Sequence, residues 1–140
     1  LVRQVIDAQP HIIAHNMETV RRLTPEVRSV ARYDTSLSVL EQIAQSGITC
    51  KTGIMVGLGE TPQEVEELMD DLRAIGCQIL TIGQYLQPSH RHYNVAEYVT
   101  PEQFKRYKEL GLQKGFKQVE SAPLVRSSYH AEQSLAFLKK

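Results

Sequence analysis

The feature that most constrains this chain is a rhythm. Short apolar, strand-like runs alternate with longer runs whose apolar residues recur at helical spacing. His11–His15 (H-I-I-A-H), Ile48–Val56, Gln78–Gly83 (Q-I-L-T-I-G) and the shorter Phe116–Glu120 read as strands. Their starts recur at intervals of roughly 30 to 40 residues, the size of a βα unit. Strands joined through helices run parallel and are covered by those helices. The pattern therefore predicts an α/β fold of parallel βα units. A complete eight-stranded barrel needs roughly 250 residues. This chain has 140 residues and supplies about three or four strands, so it forms either a small open sheet or a piece of a larger barrel. Leu1–Ala8 reads as the end of a helix whose start is cut off, which favours the larger barrel.

The helices carry their own boundary signals. Thr35–Ser46 presents Leu37, Leu40, Ile43 and Ala44 on one face, and Gly47 closes it. Thr61-Pro62-Gln63-Glu64 opens the next helix with a capping box. Thr61 caps the amide of Glu64, Pro62 fits the first turn, and Glu64 reaches back. Val65, Leu68, Met69, Leu72 and Ile75 form its apolar face, and Gly76 ends it. Thr100-Pro101-Glu102-Gln103 repeats the start chemistry for a helix running to about Gly115. A long loop, Gln84–Val99, separates these last two helical units. Ser121–Tyr129 reads as irregular, and Ala131–Leu138 as a final helix.

Composition narrows the class of function. Sixteen basic and 16 acidic residues give a formal net charge of zero, against the basic surplus of a nucleic-acid groove. No segment approaches the roughly 20 apolar residues of a membrane helix, and the N-terminus resembles neither a signal nor a transit peptide. The expectation is a cytoplasmic protein, or one of an organelle matrix, that meets neither nucleic acid nor membrane. Cys50 and Cys77 are the only cysteines. They are too few and wrongly spaced for a zinc or iron–sulfur site, and read as buried thiols.

In parallel α/β folds ligands bind at the C-terminal ends of the strands. Asn16 and Glu18 follow the first strand and offer an amide and a carboxylate to a ribose or an amino group. Capping of a helix start by Asn16 is the plainer alternative, and His15 can be a satisfied core histidine. Gly53, Gly57, Gly59 and Glu60 lie in Lys51–Glu60 (K-T-G-I-M-V-G-L-G-E). Glycine admits close approach of backbone to a ligand, although the same residues also serve a tight strand-to-helix turn. The pattern is neither a dinucleotide fingerprint nor a phosphate loop. Gln84, Tyr85 and Gln87 follow the third strand. His90 and His92 have no obvious third ligand nearby. Arg126-Ser127-Ser128-Tyr129-His130 is either a turn into the last helix or a tail that folds over a site.

Taken together, H-N-M-E-T-V (His15–Val20), A-R-Y-D-T-S-L (Ala31–Leu37), K-T-G-I-M-V-G-L-G-E (Lys51–Glu60), L-T-I-G-Q-Y-L-Q-P-S (Leu80–Ser89), Y-V-T-P-E-Q-F (Tyr98–Phe104) and P-L-V-R-S-S-Y-H-A (Pro123–Ala131) resemble lipoyl synthase. This is a family of the radical S-adenosylmethionine (SAM) superfamily. The resemblance covers almost the whole chain in order, and the Q-Y-L-Q-P and R-S-S-Y-H-A segments are its most specific parts. It implies the C-terminal half of a partial (βα)6 radical-SAM, TIM-like barrel. Residues 1–120 would be the barrel part, about strands 4 to 6 with their helices, and residues 121–140 a tail carrying R-S-S-Y-H-A.

The resemblance also implies site residues. Asn16 and Glu18 match the polar motif after the fourth strand that helps hold SAM. Gly53, Gly57, Gly59 and Glu60 match the glycine-rich motif beside the adenosyl group. Gln84, Tyr85 and Gln87 match the exit of the sixth strand, and Ser128 matches an unusual serine ligand to an auxiliary [4Fe–4S] cluster. No catalytic side chain is assigned. The implied reaction is sulfur insertion at C6 and C8 of an octanoyl group on a carrier protein. One [4Fe–4S] cluster would cleave SAM to a 5′-deoxyadenosyl radical, and the second would supply sulfur. The implied partners are an octanoylated lipoyl carrier domain and a reductant such as ferredoxin or flavodoxin. The family's two cysteine triplets are absent from this sequence, so the chain is expected to be inactive alone. The alternatives are a non-catalytic nucleoside- or carrier-binding α/β module and one subunit of a split radical-SAM enzyme.

Overall fold

A computed structural model describes residues 2–8, 10–27, 33–88 and 93–124. His90, His92, Ser128, the rest of Arg126–His130 and the expected helix Ala131–Leu138 lie outside the described residues. The elements run α1 (Val2–Asp7), β1 (Ile12–Ala14), a 3-10 turn (Arg21–Leu23), the short α2 (Thr24–Val27), α3 (Tyr33–Gln45), β2 (Thr49–Val56), α4 (Pro62–Ala74), β3 (Ile79–Gln84), α5 (Pro101–Gln113) and β4 (Gln118–Ser121). The four strands form one parallel sheet in the order β1-β2-β3-β4. The expected βα rhythm is therefore the observed one. The short strand expected at Phe116–Glu120 is β4, which begins two residues later, ends one residue later and pairs with β3.

Local chemistry explains the helix limits. Thr61 Oγ1 accepts from the Glu64 amide at 3.2 Å, and Glu64 Oε1 accepts from the Thr61 amide at 2.9 Å, completing the capping box. Thr100 caps α5 through the Gln103 amide at 3.2 Å. The chain leaves α3, α4 and α5 through Gly47, Gly76 and Gly115, all at positive φ, where a side chain would be strained. The helix expected at Thr35 begins two residues earlier. Tyr33 is buried there, and its hydroxyl donates to Asp71 at 2.8 Å.

Strand residues alternate between two faces. Cys50 Sγ lies 3.5 Å from the Leu40 carbonyl of α3, and Ser121 Oγ donates to the Phe104 carbonyl of α5 at 2.7 Å. These contacts mark the helix-covered face. Its core includes Leu40, Ile43, Val65, Leu68, Met69, Leu72, Leu80 and Ile82. The register pairs Gly53 with Thr81 and Thr81 with Glu120 on the opposite face. Among the described residues no helix is long and apolar enough to cross a membrane.

The α5–β4 contact is close enough to test. A Cβ at Gly111 would lie 2.9 Å from Val119 Cγ2, and a β-branched side chain has little rotamer freedom with which to yield. Gly111→Ala should lower stability by about 1 kcal/mol or more in urea unfolding, because overpacking outweighs the helix-propensity gain. Unchanged or increased stability would show that the contact is loose.

Candidate functional site

The site begins where β1 ends. Ala14 pairs with Lys51, yet Glu18 bridges Ile54. The first strand thus advances four residues while β2 advances three, leaving one extra residue as a bulge. The bulge is pinned along its length. The amides of His15 and Glu18 donate to the carbonyls of Lys51 and Gly53 at 3.0 and 3.1 Å, and the Met55 amide donates to the Glu18 carbonyl at 2.9 Å. The Met17 amide donates to Thr52 Oγ1 at 3.1 Å, and the Met17 side chain is buried. Glu18 sits at φ 74°, a left-handed conformation rare for a residue with a side chain. Such strain is held in place here by the bonds on either side of it. Asn16 and Glu18 are both half-buried at this exit. Asn16 caps no helix, because the next helical turn starts at Arg21 behind Val20. His15 Nε2 lies 3.3 Å from Ser36 Oγ, tying that ring to α3.

The β2 exit is a closed turn. Glu60, 7% exposed, turns its carboxylate back onto the Gly57 amide, 3.1 Å from each oxygen, and the Leu58 amide at 2.9 Å. Burial pushes this carboxyl above the ordinary glutamate range, against the backbone bonds that hold it down. Gly57, at φ 93°, could not carry a Cβ, which would overlap Gln84 Nε2 and the Glu97 carbonyl. The close approach that Gly57 permits is therefore made by the protein's own loop. Gly59 is exposed, at φ 110°.

The β3 exit is used in the same way. Gln84 Nε2 donates to the carbonyls of Tyr85 and Glu97 at 3.0 and 2.9 Å, and its Oε1 accepts from the Val99 amide at 2.9 Å. The buried Tyr85 donates its hydroxyl to the Tyr93 carbonyl. The Gly57 carbonyl accepts from the Ala96 and Glu97 amides at 2.8 and 3.2 Å. Segment 93–99 is thereby strapped across the β2 and β3 exits. Gln87 is half-buried further along.

These bonds separate the expected site residues into two groups. Asn16, Glu18 and Gly53 border the sheet face opposite the helices. Gly57, Glu60, Gln84 and Tyr85 hold the turn and the strap that frame it. Gly53 and Gly83, both buried, carry no Cβ on this face, with half-buried Met55 two residues beyond Gly53 and buried Thr81 beside it. A planar base fits a surface that lacks two Cβ atoms and ends in an apolar side chain, with polar groups at its rim. The residues present thus fit the adenosyl side of SAM. Beneath them Lys51 is only 1% exposed, and Glu120 accepts from Gln118 Nε2 at 3.1 Å. Burial lowers the Lys51 pKa while the nearby Glu120 opposes the shift. The sequence does not announce this buried lysine, which lies between Cys50 and Thr52 near the start of β2.

An iron–sulfur cluster does not fit the described residues. Among them no group of three His, Cys, Asp or Glu could hold a metal ion. Cys50 and Cys77 are buried on the helix side. Its contact with Cys77, followed by burial, keeps the Cys50 thiol protonated.

The four parallel strands and their covering helices define a section of a parallel (βα) barrel, a fold in which ligands meet the C-terminal ends of the strands. SuiB of Streptococcus suis shares this fold, with a TM-score of 0.69 at 12% identity over 94% of this chain and 31% of that one. SuiB bound to S-adenosylmethionine gives a TM-score of 0.67 at 12% identity, over 86% and 29%. No family model matches. Curated relatives are far more similar in sequence. The lipoyl synthase of Phocaeicola vulgatus is 71% identical over 137 residues, 98% of this chain and 48% of its own length. That of Bacteroides thetaiotaomicron is 73% identical over 135 residues, 96% and 48%, and that of Treponema denticola is 64% identical over 132 residues, 94% and 46%. The chain belongs to the lipoyl synthase family, and it spans about half the length of the curated relatives it matches.

Two outcomes test this geometry. Gly57→Val should collapse the strap, seen as new protease cuts within residues 93–99 before any ligand is added; an unchanged digest would free Gly57 for a ligand. Glu60→Gln should destabilise by about 1–2 kcal/mol at a pH just below the ordinary glutamate value, because an amide nitrogen then faces a donor. The raised Glu60 pKa means that the folded state binds the extra proton. Wild-type stability is fully present below the unfolded value and is lost as pH rises through the folded one. The gap between wild type and Glu60→Gln should therefore narrow as pH rises, and a widening gap would reverse the assigned direction.

Proposed function

We propose that this chain supplies one wall of the SAM site in a lipoyl synthase that inserts sulfur at C6 and C8 of an octanoyl group on a carrier protein. The observation that carries the proposal is 71% identity over 98% of the chain to an enzyme of that name. The strand-exit geometry agrees with it. Asn16 and Glu18 offer an amide and a carboxylate to the ribose or the amino group of the ligand. Gly53 and Gly83 leave room for the base, Met55 covers it, and Gln87 borders the same end. Glu60, Gln84 and Tyr85 keep the frame rigid and help exclude water from it. SAM, when bound, supplies the hydrogen-abstracting chemistry that an unactivated carbon chain requires.

The family's two [4Fe–4S] clusters would take their cysteine ligands from a longer protein carrying this segment, with Ser128 as the ligand that this sequence contributes. An octanoylated lipoyl carrier domain is the substrate, and a protein such as ferredoxin or flavodoxin is the electron donor.

The test uses that longer protein with its clusters reconstituted. Incubation with octanoylated carrier, SAM and a low-potential reductant should give a carrier with two sulfurs inserted, read by mass spectrometry. Intact octanoyl carrier beside consumed SAM would point to another radical-SAM substrate, and SAM binding without consumption would favour a nucleoside-binding module. Ser128→Ala should lower lipoyl formation while SAM affinity by calorimetry stays unchanged. Full lipoyl formation in this variant would remove Ser128 from the site.

A further inference from the structure

Three bonds join the two walls of the ligand end through one side chain. Arg22 lies in the 3-10 turn that follows the β1 exit. Its Nε donates to Glu64 Oε2 at 2.8 Å, its Nη2 to Glu64 Oε1 at 3.0 Å, and the same Nη2 to the Gly59 carbonyl at 2.8 Å. Glu64 is fixed in turn by the Thr61 amide, because it also closes the capping box of α4. A planar guanidinium can satisfy a carboxylate with two bonds and a carbonyl with a third, a geometry that a lysine ammonium does not reproduce. Gly59 precedes Glu60, whose carboxylate shapes the β2-exit turn. Four residues before Arg22 stands Glu18, strained and bonded to β2. The guanidinium is thus a brace between the segment carrying Asn16 and Glu18 and the turn after β2.

We propose that Arg22 is a positioning residue of the SAM site, setting the spacing between the β1-exit polar motif and the glycine-rich turn. The proposal rests on the SAM reading above. Arg22 contributes little to overall stability. Its side chain is 55% exposed and that of Glu64 20%, and exposed ion pairs are worth about 0–1 kcal/mol. Its effect falls on the ligand, because a small displacement of a site's walls costs binding and catalysis far more than folding.

The experiment compares wild type, Arg22→Lys, Glu64→Gln and the double variant of the longer, cluster-loaded protein. SAM affinity is read by calorimetry, and the thermal midpoint on the same preparations. Arg22→Lys should weaken SAM binding roughly ten-fold, because one point charge replaces a fork, while the midpoint shifts by no more than about 2–4 °C. The double variant should bind SAM no worse than Arg22→Lys alone, since both substitutions break the same brace. Wild-type affinity in Arg22→Lys would overturn the proposal. So would affinity and midpoint falling together, which would make Arg22 a fold-wide strut. Wild-type protein with no affinity for SAM would overturn the underlying cofactor reading as well, and the wild-type titration separates that failure from a failure of the brace.

Discussion

The ligand end depends on the pairing of the β1 exit with β2. Four amides, from His15, Met17, Glu18 and Met55, hold a segment with one residue too many against a regular strand. Parallel strands have evenly spaced bonds, so an extra residue must leave the ladder and bend the chain. Here it leaves between Ala14 and Glu18 and places Asn16 at the strand exit. The strained backbone of Glu18 is the local cost, and the bonds to Gly53 and Met55 offset it. Everything beyond is built outward from this anchor: the Arg22 brace, the capped start of α4 and the Glu60-closed turn.

A second layer of constraint comes from the strap. Segment 93–99 returns over the β2 exit and is held by Gly57, Gln84 and Tyr85. Residues with side chains suited to ligand binding are consumed in holding backbone. This division suits the proposed site, where the cofactor would carry the chemistry and the protein would supply a rigid frame rather than reactive side chains. Tyr107 packs beside this layer. It is buried near the carboxylates of Glu60 and Glu97, and its phenol is pushed up to about 12 by burial and those charges, so it stays protonated.

Much of this was legible in the sequence because local chemistry decides it. The capping box at Thr61, the glycines after the helices and the apolar faces of α3 and α4 involve residues three or four apart, and the structure bears them out. The strands were legible from their spacing. The bulge was not, because register is a property of two strands and nothing in H-N-M-E-T announces an extra residue. Nor were the internal duties of Gly57, Glu60, Gln84 and Tyr85. Glycine spacing alone does not say whether a ligand or a distant carbonyl fills the space beside Gly57. The partner, Glu97, lies forty positions away and in a segment that reads only as loop. Lys51 was missed for a related reason: its burial depends on neighbouring strands and on the Glu120 charge, which the pattern of β2 alone does not carry.

We propose that SAM lies on the strand face that carries Gly53 and Gly83, between the bulged β1 exit and the strapped turn. Hydrogen–deuterium exchange of the longer protein, with and without SAM, tests it directly. SAM bound there should slow exchange in peptides covering residues 15–20 and 83–88 and leave α4 and α5 unchanged. Protection confined to segments outside these exits, or none at all with SAM bound, would contradict it.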